Sequence, residues 1–250
     1  MEAKGVEGSL EGRRVVIVGG TSGMGLGAAR ASARAGAEVS AAGRRPREER
    51  AAGAPGDARV AHETVDVTDE GSVRAMFERI GALDHLLISA APEPGSWGAF
   101  LEQDVAGAQR YMSAKFFGSW ACARYAAPRM RAGGSITFLT GGAAVRPRAG
   151  ASMVSATFAA LETLARGLAI ELGPLRVNVI RPGYTDSEMW SFLDDAAREQ
   201  LRERVRAAMP VRRMGTVEDI GHAAVFLMTN PQVTGSVLDI TGGETLVDGL

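Results

Sequence analysis

Short apolar, β-branched runs alternate along the chain with Ala-rich amphipathic stretches. The runs predict strands at Arg14–Val18, Glu38–Ala42, Val60–Val67, His85–Ser89, Ser135–Leu139, Arg176–Ile180 and Val237–Thr241. Several are apolar throughout rather than alternating, as expected of parallel strands covered on both faces. Helices are predicted between them at Met24–Ala35, Asp69–Ile80, Gln109–Arg131, Ser152–Leu172, Ala196–Ala208 and Val217–Met228. Strand–helix alternation of this kind implies right-handed βαβ units, and so an α/β fold built on a doubly wound parallel sheet of about seven strands with helices on both faces. The pattern runs nearly end to end without repeat or linker, so residues 1–250 are expected to form one domain. The polar stretch Arg45–Asp57 predicts a surface loop. Residues 186–210 interrupt the alternation before the last strand. Ligands of open α/β sheets bind beyond the C-terminal strand ends, so this insertion predicts a lid.

Composition narrows the partners. The formal net charge is −1, with no basic surplus to suit nucleic acid. The one cysteine, Cys122, excludes an internal disulfide and suits a reducing compartment. The N-terminal residues are polar and acidic, unlike a signal peptide, and no stretch reads as a membrane span. A cytoplasmic protein with a small-molecule substrate is expected. No His/Cys/carboxylate group has metal-ligand spacing.

The first strand runs into VVIVGGTSGMGLGAA. Gly19, Gly23 and Gly25 permit positive φ and close backbone approach in the turn that opens the next helix. That helix would aim its free N–H groups and positive dipole end at a pyrophosphate. Thr21, Ser22 and Met24 complete the turn. This is the dinucleotide-binding pattern of a Rossmann-type fold, the alternative being a tight turn only. The second strand ends Ala41-Ala42-Gly43-Arg44-Arg45, without the acid that accepts a ribose 2′-hydroxyl. Arg44, with Arg45 beside it, would meet a 2′-phosphate through charge-assisted bonds. That points to NADP(H) over NAD(H), unless both arginines are merely solvated.

At this point the chain resembles the short-chain dehydrogenase/reductase superfamily over almost its whole length. The resemblance is carried by the glycine turn, Val65-Asp66-Val67, Leu83-Asp84-His85-Leu86, RVNVIRPG at 176–183, PVRRMGTVEDI at 210–220 and TGSVLDITGG at 234–243. It implies that Asp66 accepts from the adenine amino group, with the Val67 backbone alongside. Ser89-Ala90-Ala91 would pass the adenosine ribose. Pro182, Gly183 and Thr185 would meet the nicotinamide carboxamide, and Ser187 would lie near the pyrophosphate. Tyr184 and Trp190 would wall the pocket or pack in the core. The resemblance also implies a homo-oligomer, a tetramer or dimer, paired through Gln109–Arg131 and Ser152–Leu172, with Phe116, Trp120, Ala160 and Leu164 on the shared faces.

The family's catalytic positions depart from its pattern. The family carries Asn, Ser and Tyr-x-x-x-Lys; here Lys115 falls at the Asn position, Gly141 at Ser, Val154 at Tyr and Phe158 at Lys. No tyrosine lies between Tyr125 and Tyr184, so no shift of register along this stretch restores the motif. Val154 donates no proton, and Phe158 neither hydrogen-bonds a ribose nor carries charge. Three functions stay open: hydride transfer with a quinone or polycyclic aromatic ketone, whose delocalised oxyanion needs little acid catalysis; a cofactor-binding partner subunit without turnover; and non-redox cyclisation, dehydration or isomerisation in the same pocket. The replacement candidates are Lys115, Thr140 and Tyr184, the last taken as the one nearby phenol, with Ser152 and Ser155 as weaker hydroxyls. Lys115 either snorkels to solvent or carries a charge into the site. His62, His85 and His222 read as strand-entry or helix residues.

Overall fold

The computed structural model describes residues 8–44, 60–90, 92 and 98–247. Ala91 and the whole of the predicted loop Arg45–Asp57, Arg45 included, lie outside them. A seven-stranded parallel sheet runs in the order β3-β2-β1-β4-β5-β6-β7. Its strands are β1 (Arg14–Val18), β2 (Glu38–Gly43), β3 (Val60–Thr64), β4 (Leu83–Ile88), β5 (Met130–Leu139), β6 (Arg176–Pro182) and β7 (Val237–Ile240). This is the expected Rossmann-like α/β fold. β1 pairs with both β2 and β4, so the strand order reverses at β1, and the crevice a ligand would use opens between its end and that of β4.

Apolar side chains cover both faces of the sheet, which is why its central strands carry continuous apolar runs. One layer joins α1 (Gly23–Arg34) and α7 (Val217–Thr229) through Ala28, Ala31, Ile220, Ala224 and Leu227. Small residues bring these helices close. A Cβ on Gly27 would lie 2.3 Å from the Val217 carbonyl oxygen, and one on Gly221 would lie 2.7 Å from the Ala31 Cβ. The other layer packs α2 (Glu70–Ile80), α4 (Gly118–Ala126) and α5 (Ser152–Glu171) through Phe77, Cys122, Leu161 and Ala165. Burial pushes the Cys122 thiol up to about 12, so it is an inert core residue.

Several elements differ from the expectation. The helix predicted over Gln109–Arg131 is three pieces: α3 (Val105–Met112), a π-helical turn at Ser113–Phe117, and α4. It starts early because Asp104 caps it, accepting from Gly107 N, and it ends near Pro128, which has no N–H to continue the ladder. β5 therefore begins at Met130 rather than Ser135. β3 stops at Thr64, where its pairing with Gly43 ends, so Asp66 and Val67 lie beyond the strand. Finally, α5 is long and apolar enough to cross a membrane by length and composition, against the sequence reading. In this fold it packs along the sheet, with Leu161 and Ala165 in the core.

Candidate active site

The turn from Gly19 to Gly25 closes the end of β1. Gly19 has φ +80° and Gly23 φ +51°, a region that costs other residues strain. A Cβ on Gly19 would lie 2.6 Å from the Ala90 amide nitrogen, and one on Gly25 would lie 2.1 Å from the Gly19 carbonyl oxygen. Ser22 stands at the N-cap of α1 without a side-chain cap bond, and no acid lies in the first turn. The helix thus leaves its first N–H groups and positive end to an outside acceptor. Thr21 is buried and Met24 packs against the α1–α7 layer. Ser187 approaches from the β6 side, its Cβ 3.9 Å from where a Gly23 Cβ would be. The residues expected at a pyrophosphate are together, and they leave a backbone cradle that fits one.

At the other end of the crevice, Arg44 is exposed at the end of β2. Asp66 is held below the usual carboxylate range, first by the Thr68 hydroxyl, then by the Thr68 amide and by the charge of Arg44. Asp66 and Arg44 therefore share one neighbourhood. Ser89 ties β4 back to β1, donating from its amide to the Val18 carbonyl at 2.8 Å.

Beyond β6 the chain is held tightly. Gly183 N donates to the Ile240 carbonyl at 3.0 Å, and Thr185 is buried and bridged to Gly215. Trp190 Nε1 donates to the Thr185 carbonyl at 2.9 Å and stacks on Tyr184 with ring centroids 5.8 Å apart. Tyr184 does not stand free as an acid. Arg148 bonds its hydroxyl and lies over its ring, and also pairs with Glu244. Glu244 is buried and accepts from the Tyr184 amide at 3.1 Å. Burial raises its pKa, against the pull of Arg148. Sequence reading missed Glu244; the signal was an acid immediately after Gly242-Gly243, both at positive φ.

Thr140 is corrected as a candidate acid. Its hydroxyl donates to Glu162 Oε1 at 3.2 Å. Glu162 is itself clamped by Arg181, which bonds both carboxylate oxygens and reaches Asp239 at 2.8 Å. Thr140 thus belongs to a buried ion-pair network that fastens α5 to β6. Ser152 is exposed. Ser155 Oγ is buried without a partner. His85 is buried and shares a 2.9 Å bond with Ser135.

Phe158 and Gly141 form a complementary pair. A Cβ on Gly141 would lie 2.7 Å from Phe158 Cε2, so glycine there makes room for the ring. Tyr111, Ala151 and Val154 form a buried cluster with Met153 and Phe158 packed against it. Tyr184 is therefore not the one phenol to consider: Tyr111, on α3, packs in the same cluster as Val154. Lys115 does not snorkel. It is 3% exposed, donates to the Ala90 carbonyl oxygen at 3.0 Å, and sits 5.8 Å from the Phe158 ring centroid. Burial drives its pKa down to about 8. Among the described residues no group of His, Cys, Asp or Glu is arranged to hold a metal.

This α/β sheet with a glycine cradle at its switch point defines a dinucleotide-binding class of protein. The family model described as Enoyl-(Acyl carrier protein) reductase matches residues 18–245, and the chain belongs to this family, within the short-chain dehydrogenases/reductases. A short-chain dehydrogenase/reductase of Gibberella fujikuroi is 28% identical over 257 residues, 95% of this chain and 96% of its own. The solved structure of a small-chain dehydrogenase in complex with NADPH is 30% identical, covers 94% of this chain and 99% of its own, and superposes with a TM-score of 0.77. The MalC Reductase/Diels-Alderase of Malbranchea aurantiaca is 25% identical, covers 95% and 98%, and has a TM-score of 0.84.

Proposed function

We propose that this protein is an NADP(H)-dependent oxidoreductase that reduces a quinone or polycyclic aromatic ketone. The observation that carries the reading is the cradle at 19–25, which excludes side chains and leaves the α1 N-terminus uncapped. The NADPH complex of a similar structure supports it. In this reading Gly19, Thr21, Ser22, Gly23, Met24 and Gly25 hold the pyrophosphate with Ser187, and Arg44 takes the 2′-phosphate. Asp66 and Val67 receive the adenine, while Ser89 and Ala90 pass its ribose. Pro182, Gly183 and Thr185 meet the carboxamide. When bound, NADPH supplies the hydride. The chain's own residues orient the substrate and exclude water, with α6 (Asp195–Ala208) as the moving part of a lid over 186–210. A substrate whose reduced oxygen is a delocalised oxyanion suits a site where Val154 and Phe158 donate nothing from α5.

NADPH is expected to bind at least tenfold more tightly than NADH, a difference of ~1.4 kcal/mol, and Arg44→Ala is expected to abolish the preference. Fluorescence titration of both cofactors tests this, and equal affinities in the parent refute it. Oxidation of NADPH by a quinone panel tests the redox step. The likeness to a structure described as a Reductase/Diels-Alderase favours a second reading, ring-forming chemistry in the same pocket, which product formation without NADPH would reveal. The family resemblance supports a homo-oligomer. Trp120 and Phe117 are exposed on or beside α4, while Phe116 and Leu164 pack partly on the chain's own core. A monomer mass by light scattering would refute it.

A further inference from the structure

Arg148, Tyr184, Trp190 and Glu244 meet where β5, β6 and β7 end, and the cofactor cradle uses none of these side chains. Glu244 is buried in the short turn Glu244–Leu246 that follows β7. Its carboxylate lies against the backbone beyond the other two strands. A Cβ on Gly142 would be 3.0 Å from Oε1, and one on Gly183 would be 2.5 Å from Oε2. Ligands of open α/β sheets bind at these strand ends. Arg148 is anchored there on two sides, donating from one guanidinium nitrogen to the Tyr184 hydroxyl and from another to Glu244. A guanidinium carries five donors in a rigid planar fork. The remaining donors of Arg148 have no partner among the described residues, and its side chain is 29% exposed. A charge fixed in place with donors to spare suits an outside anion. The same cluster carries flat apolar surface. The guanidinium lies 4.6 Å from the Tyr184 ring centroid, and Trp190 stacks on Tyr184 with an interplanar angle of 18°. The Trp190 ring is held by its bond to the Thr185 carbonyl. Phe192 continues the series 6.2 Å from Trp190 and is 64% exposed. A clamp between Arg148 and Glu244 explains the ion pair, but not the spare donors or the uncovered rings beside them.

We propose that Arg148 is a specificity-determining residue that receives a carboxylate carried by an aromatic substrate, whose ring system lies along Trp190 and Phe192. The proposal deepens the hydride-transfer reading above and rests on it. It narrows the substrate from quinones and polycyclic aromatic ketones in general to those bearing an acidic group. Glu244 already shows that this guanidinium accepts a carboxylate as its partner. The tethers to Glu244 and Tyr184 hold the fork in one orientation, so little side-chain freedom is lost when a second carboxylate arrives. Partial burial strengthens the contact relative to one made in open water. The rings supply the complementary preference, since flat aromatic systems gain from offset stacking on Trp and Phe. Acid recognition and ring recognition are therefore separable, the first belonging to Arg148 and the second to Trp190 and Phe192.

The test uses the full chain with saturating NADP+ and two probes, anthraquinone-2-carboxylate and anthraquinone-2-carboxamide, which share a ring system and differ in charge. Calorimetric titration of the parent is expected to show the carboxylate binding about tenfold more tightly, or better. Arg148→Gln is expected to bring the two probes within about twofold of each other by weakening the carboxylate alone. Arg148→Lys is expected to keep part of the preference, since an ammonium keeps the charge but lacks the fork. Arg148→Gln leaves the Glu244 carboxylate buried without its cation, so the double variant Arg148→Gln/Glu244→Gln is measured beside it and is expected to lose the preference in the same way. Trp190→Ala is expected to weaken both probes alike. Equal binding of the two probes by the parent, binding of neither, or a preference that survives Arg148→Gln overturns the assignment. So does a variant that loses affinity for both probes equally, which is the mark of a clamp only, or one that loses NADPH affinity in place of the preference, which would give Arg148 to the cofactor. Oxidation of NADPH by the carboxylate probe is followed separately. A parent that shows the preference but transfers no hydride overturns the hydride reading and leaves the carboxylate site standing.

Discussion

Replacing Lys115 by methionine should make the protein more stable. Burial holds the Lys115 pKa at about 8, against an ordinary value of 10.5, with no opposing charge to compensate among the described residues. The displacement is about 2.5 units, and each unit is worth ~1.36 kcal/mol, so the fold bears about 3 kcal/mol at neutral pH for keeping this ammonium inside. Methionine fills similar volume with no charge. It also loses the bond to the Ala90 carbonyl, worth about 1 kcal/mol. The expected net gain is about 2 kcal/mol at pH 7, or roughly 4–8 °C in melting temperature for a chain of this size. The sign fixes the pH dependence. This is a base whose folded pKa is lowered, so the unfolded chain takes up the proton first as pH falls from 10.5. The penalty is complete below pH 8, fades between 8 and 10.5, and is absent above. Denaturant melts of parent and variant at pH 7 and pH 9.5 should therefore show a gain that shrinks at the higher pH. A variant less stable than the parent at pH 7, or a gain independent of pH, would refute the reasoning. A residue that costs stability is retained for another reason, and active sites are where such costs concentrate.

Two further outcomes follow from neighbouring geometry. Gly141→Ser should destabilise the fold by about 1–3 kcal/mol through overpacking against Phe158, and the loss should largely vanish in a Phe158→Ala background. A double-mutant cycle by denaturant melts reads the coupling, and additive losses would show that the two side chains do not compete for space. His85 has its pKa lowered from 6.5 to about 4, chiefly by burial and then by the charge of Arg176. The folded state therefore resists the proton that the unfolded chain accepts, and stability that is complete above pH 6.5 should fall by about 3 kcal/mol as pH drops toward 4. His85→Gln should flatten that acid limb, and an unchanged limb would assign it to other groups.

The fold was legible because its signals are local. β1 and the glycine turn announce themselves in VVIVGGTSGMG, where apolar run, glycine spacing and helix start fall within a few residues. The Gln109–Arg131 helix was misread for the same reason: Ala-rich composition hides the capping role of Asp104, the π turn and the stop at Pro128. The site was legible only where it is backbone. The cradle is a matter of glycines and a helix terminus, both written in sequence. The chemistry depends instead on which side chains meet across elements. Gly141 and Phe158 read as two unrelated positions, yet they meet in space, since the ring occupies the volume that a side chain at 141 would need. Glu244 reads as a residue just past the final strand, and becomes part of the site because Arg148 and the Tyr184 amide converge on it.

Lys115 shows most clearly why positions taken one at a time along the sequence hide what meets in space. Val154 and Phe158 read as apolar positions of α5; they say nothing of Lys115, which the π turn directs beside the Phe158 ring. Lys115 is the sharper guide, because its burial is expensive where the described residues offer no counter-charge. Had the site simply decayed, an apolar residue at 115 would relieve that cost at once. The buried ammonium, set against the ring at 158 and bonded to the Ala90 carbonyl, is held in place at a cost that packing alone does not repay.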